Sequence, residues 1–303
     1  MVRNLQTEKI LRNCRLCPRE CGADRYAEKG FCGESAAVRI ARAELHMWEE
    51  PCISGTKGSG TVFFSGCNLK CCFCQNYEIS HLGKGFGLTR EELAETFIRM
   101  QDMGAHNVNL VNPTHFVPQI LDALEICGER LRIPIVYNSG GYEKTGTLDM
   151  LRGKVDIFLP DLKYFDAQTS REYSGAADYF EKAIAAIRRM ANIAGKPIIE
   201  DGIMKRGVIV RHLVLPNHRH DSLRLIEELE KRFAADEIMV SLMCQYTPVY
   251  RAAEHKEIDR KLSGFEYKTA AERLEQAGFA GYFQQRDSAQ EKYIPQFYSA
   301  KYY

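Results

Sequence analysis

Residues 61–76 read TVFFSGCNLKCCFCQN, a short β-rich run over 61–65 that opens into a loop with four cysteines in eight positions. Cys67, Cys71 and Cys74 take the spacing CxxxCxxC, so one compact loop presents three thiolates to a single centre. A tetrahedral structural zinc site wants four ligands, usually from two separated pairs, and no matching pair follows nearby. A cubane iron-sulfur cluster fits the set better. It has four irons, and three cysteines leave one iron open to a small molecule with amine and carboxylate donors. The side chain of Cys72 diverges from that of Cys71 and reads as a packed thiol.

Beyond that loop, β-rich runs alternate with helical patterns. Strands are expected at 108–111, 135–138, 155–159, 208–215 and 238–242. A helix over 90–103 is announced by Thr89 with Glu92 three positions on, and Leu93, Phe97 and Met100 share one face. Another over 177–194 carries Phe180, Ile184, Ile187 and Ala191 as a stripe suited to packing on a sheet. Six successive strand and helix units predict an α/β fold, a partial (β/α)6 TIM-like barrel. Such alternation builds a parallel sheet, and eight-unit closure needs more chain. In a barrel of this kind chemistry collects where strands end. The segments there are polar: NPTH, NSGGY, PDLKY, RHLVLPNH and CQYTP follow or close the later strands.

The 303 residues are enough for one or two domains with a large core. Lys plus Arg total 41 against 40 Asp plus Glu, so no global field favours nucleic acid or an anionic membrane. No run of about 18 apolar residues occurs, and charges interrupt the start of the chain, which predicts a cytoplasmic protein. There, 11 cysteines point to metal or catalysis rather than disulfides. Cys14, Cys17, Cys21 and Cys32 form a second set, complete for one metal; thiolate count alone does not choose between zinc and an auxiliary iron-sulfur cluster. The Gly- and Ser-rich stretch PCISGTKGSG, residues 51–60, reads as a joint. The expected division is a Cys-rich module over 1–50, a core over 51–250 and a C-terminal helical extension with an aromatic tail over 251–303.

The cysteine loop, with Phe73 before its third cysteine, resembles the radical S-adenosylmethionine (SAM) superfamily. GCNLKCCFCQN is similar in particular to glycyl-radical activating enzymes, pyruvate formate-lyase activase among them, in which a polar pair, here Gln75 and Asn76, also follows the last cysteine. CRLCPRECGADRYAEKGFCG, NLVNPTHF and FLPDLKY further resemble the PflX-type homologues of that activase. The resemblance implies a [4Fe-4S] cluster, SAM bound at the open iron, and reductive cleavage to a 5′-deoxyadenosyl radical. It also implies an oxidoreductase that takes hydrogen from a glycine of a partner protein, with an external electron donor such as flavodoxin or ferredoxin. Action on a small molecule is the alternative, and a non-catalytic electron-transfer protein is a third reading.

Residue by residue, the resemblance assigns Lys163 of the pair Asp161 and Lys163 to the SAM carboxylate, and Arg211 to a further SAM contact. Arg211 interrupts an apolar run, VIVRHLVLP, where a buried charge has to be paired. Many relatives place a Gly-Gly-Glu-like segment after the second strand. Here Asn112, Pro113, Thr114 and His115 stand instead, so Asn112 and Thr114, with nearby carbonyls, are the expected acceptors for the SAM amine. His115 reads as a structural hydrogen-bonding group. Asn138 and Ser139 are placed to meet ribose hydroxyls, while Gly140 and Gly141 permit close backbone approach to a ligand.

Overall fold

The computed structural model describes residues 2–284, and all six expected runs form strands in it. The aromatic tail from residue 285 onward lies outside the described residues. In chain order the strands are β1 (Val38–His46), β2 (Ser59–Phe64), β3 (Phe86–Leu88), β4 (Val108–Val111), β5 (Ile135–Ser139), β6 (Ile157–Pro160), β7 (Ile198–Glu200), β8 (Ile203–Leu213), β9 (Met239–Met243) and β10 (Gly281–Phe283). Among the described residues they make one open sheet in the order β10, β9, β8, β6, β5, β4, β2, β1, β3, with β7 paired to β8. Every pairing from β2 across to β10 is parallel, and β1 and β3 finish one edge antiparallel. The sheet is a partial barrel: its six core strands β2, β4, β5, β6, β8 and β9 lie side by side in chain order.

Helices cover the outer face, as parallel strands joined by crossovers require. Arg90–Asp102 begins at Thr89, whose hydroxyl accepts from the Glu92 amide at 3.1 Å while the Glu92 carboxylate accepts from the Thr89 amide at 2.9 Å. Tyr179–Ala194 buries Phe180, Ile184, Ile187 and Ala191 against the sheet, the stripe expected. Alternate residues of each strand face opposite ways. Tyr137 and Phe158 join the outer core, whereas Val136, Ile157, Leu159 and Ile209 face inward.

The inner face is closed by a stretch whose composition reads as a joint. Pro51–Ser54 forms one helical turn inside the curve of the sheet, with Cys52 and Ile53 sealed among Val136, Ile157, Leu159, Ile209 and Met239. Asn107 donates to the Ile53 carbonyl at 2.8 Å and accepts from Ser59 at 2.6 Å, so the plug is bonded as well as packed. β1, unforeseen from sequence, leads into this plug and carries its neighbours Trp48 and Glu49 to the end of the barrel where the parallel strands finish. Among the described residues no helix is long and apolar enough to cross a membrane.

Candidate active site

The carboxyl ends of the parallel strands enclose a cavity of about 380 Å³. Each strand delivers polar groups to it. The loop after β2 brings Cys67, Cys71, Phe73, Cys74, Gln75 and Asn76; Asn112 follows β4, Asn138 and Ser139 end β5, Asp161 and Lys163 follow β6, and Arg211 lies near the end of β8. Twelve of the thirteen residues expected at the loop site and its ligand pocket therefore meet at one cavity. Thr114 does not. It is fully buried, and its hydroxyl donates to Glu143 at 2.6 Å behind the wall, so it is not among the cavity-lining acceptors.

The cysteine loop is held in shape by its own turns and by bonds from neighbouring segments. Gly66 and Lys70 take positive φ values of 80° and 58°, which turn the chain sharply around Cys67. The Leu69 amide points at the Cys67 sulfur at 3.3 Å, Ser174 donates to Cys71 at 3.0 Å, and Ser80 lies 3.2 Å from Cys74. Hydrogen bonds of this kind favour thiolate and tune a metal-bound sulfur. Burial pushes the Cys74 thiol up to about 12, with Cys71 adding to the rise and Ser80 opposing it. Cys72 turns into the core and is absent from the cavity wall, as a packed thiol should be. Phe73 meets Tyr164, Tyr173 and Tyr246 edge-on, with centroids 5.7–6.4 Å away, and anchors the loop between Cys71 and Cys74.

Two cations face the thiols, and both are already paired. Lys163 Nζ lies 2.6 Å from Asp161 Oδ2, and Arg211 lies 2.9 Å from Asp161 Oδ1. Burial works against charge at Lys163, but Asp161 and Cys71 outweigh it and hold its pKa above the usual value. Burial opposes Asp161 as well, yet Arg211 and Lys163 keep its carboxyl below the usual range. Arg211 also reaches Glu49 Oε2 at 3.3 Å, and its guanidinium donates to Asn138 Oδ1.

Glu49 is the main residue that sequence reasoning missed. Its side chain is 11% exposed and accepts from Asn109 at 3.0 Å, which puts a carboxylate on the cavity wall where the strand-end segments supply only Asp161. The signal was the acidic pair Glu49–Glu50 closing an alternating run, but its partner Arg211 is 162 positions away. Gln245 and Gln284, after β9 and β10, also line the cavity; Gln75 donates to the Gln245 carbonyl at 3.1 Å. His115 is fully enclosed, bonded through Nε2 to the Ser65 carbonyl at 2.6 Å, and burial with Arg25 beside it lowers its pKa to about 3. Gly141 has φ 79°, and a Cβ there would lie 2.0 Å from the Asp161 carbonyl oxygen. Its close approach serves the neighbouring strand end, not a ligand; Gly140 is the one on the cavity wall.

Residues 61–229 match the family model of the radical SAM superfamily. The chain belongs to the radical SAM superfamily. It is 31% identical over 278 residues to the uncharacterized protein MJ0674 of Methanocaldococcus jannaschii, covering 88% of this chain and 76% of that protein. It is 26% identical over 216 residues to the pyruvate formate-lyase-activating enzyme of Clostridium pasteurianum, covering 68% and 82% of the two chains. Among solved structures, Streptococcus suis SuiB bound to its precursor peptide SuiA superposes with a TM-score of 0.50 at 15% identity, over 72% of this chain and 46% of SuiB. That likeness concerns the fold, and this chain spans about half of SuiB. Membership implies a [4Fe-4S] cluster and SAM. The donor set fits them: three free thiols share a cavity with Lys163, Arg211, Asp161 and Glu49, charges of both signs for the two ends of an amino acid.

Proposed function

We propose that this radical SAM protein is an activating enzyme that takes a hydrogen atom from a glycine of a partner protein. The observation that carries the reading is the convergence of Cys67, Cys71 and Cys74 with Asp161, Lys163 and Arg211 on one cavity. A cluster held by Cys67, Cys71 and Cys74 with SAM beside it would supply one-electron reductive cleavage of the sulfonium, to methionine and a 5′-deoxyadenosyl radical. The chain itself has to orient and shield. Lys163 and Arg211 receive the SAM carboxylate, which exchanges for part of their contact with Asp161. Asp161, Glu49 and the Asn112 side chain take the ammonium, and Asn138 with Ser139 lies within the same wall for ribose hydroxyls. Phe73 packs on Tyr164, Tyr173 and Tyr246 beside the loop and would help keep water from the cluster. Similarity to the Clostridium activating enzyme supports the protein-glycine substrate, and a low-potential external donor such as flavodoxin or ferredoxin would supply the electron.

Anaerobic reconstitution with iron and sulfide, reduction and addition of SAM tests this. Wild type is expected to release 5′-deoxyadenosine and Cys71→Ala to release none. With a deuterated glycyl-radical enzyme as partner, deuterium should appear in the nucleoside. A cluster-loaded, reducible wild type that yields no nucleoside would falsify the enzyme reading, whereas nucleoside without label from any glycyl-radical partner would move the substrate to a small molecule.

A further inference from the structure

The four N-terminal cysteines lie outside the cavity and have no part in the chemistry above. They are drawn together by two turns. In the first, the Cys14 amide donates to the Ala23 carbonyl at 3.0 Å and the Gly22 amide to the Cys14 carbonyl at 3.0 Å, folding the chain back so that Cys21 Sγ comes within 3.9 Å of the Cys14 carbonyl. In the second, the Gly33 amide donates to the Gly30 carbonyl at 2.9 Å and sets Cys32 at the turn. Gly30 opens the second turn, and a Cβ on it would be 3.5 Å from Cys21 Sγ and 3.6 Å from Cys32 Sγ. Cys14 and Cys32 are buried, Cys17 is half-buried and Cys21 is exposed, and all four are free thiols. Nothing covalent accounts for their gathering.

From this geometry we infer that Cys14, Cys17, Cys21 and Cys32 ligate a second [4Fe-4S] cluster, all four of its protein ligands being cysteines. Zinc bonded to sulfur at about 2.3 Å would draw four sulfurs to about 3.8 Å from one another. Among the described residues, no three of these sulfurs lie within 4.8 Å of one another, and the same openness holds for Cys67, Cys71 and Cys74. That spacing is wider than a single zinc imposes, and Cys21 and Cys32 approach each other across Gly30. The quartet also backs directly onto the first loop: the Cys67 amide donates to the Cys32 carbonyl at 3.1 Å, and Arg19 donates to the Asn68 carbonyl at 2.8 Å. On binding, the four thiols lose their protons to the medium, so occupancy rises with pH.

Metal content decides the matter independently of SAM chemistry. After anaerobic reconstitution with ferrous iron and sulfide, wild type should hold about eight irons, as two four-iron clusters require. The Cys14→Ser/Cys17→Ser variant and the Cys67→Ala/Cys71→Ala/Cys74→Ala variant should each hold about four. Reduced, the second variant should give an electron paramagnetic resonance signal that SAM leaves unchanged, while the signal of the first shifts with SAM. If the first variant does not fold, the second still decides, because it leaves the quartet untouched. Iron near four in wild type, one zinc in place of the second set, or a Cys67/Cys71/Cys74 variant devoid of iron would each overturn the assignment. Eight irons with no 5′-deoxyadenosine would leave it standing and defeat the proposed function alone.

Discussion

Glu143 shows how one side chain can set a pH dependence without touching the cavity. It is 2% exposed, accepts from Thr114 at 2.6 Å and from Tyr137 at 3.1 Å, and burial pushes its carboxyl up to about 7 against those bonds. The folded chain keeps this proton well above the pH at which the unfolded chain gives it up. Its contribution to stability is therefore complete below about pH 4.5 and is lost as pH rises through about 7. The span corresponds to something on the order of 3 kcal/mol. Glu143→Gln, which mimics the protonated acid, should flatten the urea-denaturation stability of the metal-free protein across that window relative to wild type. Equal slopes for the two proteins would mean that Glu143 is ionised throughout. The same arithmetic explains why Thr114 was misplaced from sequence: its hydroxyl satisfies a buried acid, a demand that no local motif announces.

At the scale of elements, what was legible follows from how burial is distributed along the chain. The six core strands are apolar runs, and the helices over Arg90–Asp102 and Tyr179–Ala194 carry one-sided stripes, so local pattern sufficed. β1 was not legible because Arg39, Arg42 and Glu44 interrupt it and its pairing with β2 is antiparallel, outside the alternating scheme. Glu49 was hidden for a related reason, since a buried carboxylate is explained only by Arg211 far along the chain. The plug was hidden by composition: Gly and Ser around it suggest a joint, yet Cys52 and Ile53 are 1% and 0% exposed. Ile53 is the element's anchor, and Ile53→Ala should cost about 2–5 kcal/mol, read as a lower urea midpoint with an unchanged slope. A loss under about 0.5 kcal/mol, the scale of surface substitutions, would mean that the inner face is closed by something other than this turn.

For the molecule as a whole, the N-terminal residues are tied to the barrel at separated points. Thr7 donates to Asp122 at 3.1 Å, Thr147 to the Leu16 carbonyl at 2.7 Å, Gln119 to the Ala36 carbonyl at 2.8 Å, and Arg25, fully enclosed, reaches the His115 carbonyl. With the Cys32 to Cys67 bond, these contacts hold the segments that follow β2, β4 and β5. The loop that presents Cys67 therefore borrows its shape from residues some 35 positions earlier. Deleting residues 1–36 would strip Arg25 from the His115 backbone and remove the partners of Asp122, Gln119, Thr147 and the Cys67 amide. Buried donors and acceptors that lose their partners cost about 1–3 kcal/mol each, a sum comparable to the stability of an ordinary domain. The truncated chain is accordingly expected to lose its cooperative urea transition in far-ultraviolet circular dichroism and to fail to retain iron at Cys67, Cys71 and Cys74. A truncated chain that unfolds at the wild-type midpoint and still holds about four irons would show instead that the barrel shapes its own cysteine loop and that the N-terminal residues merely dock on it.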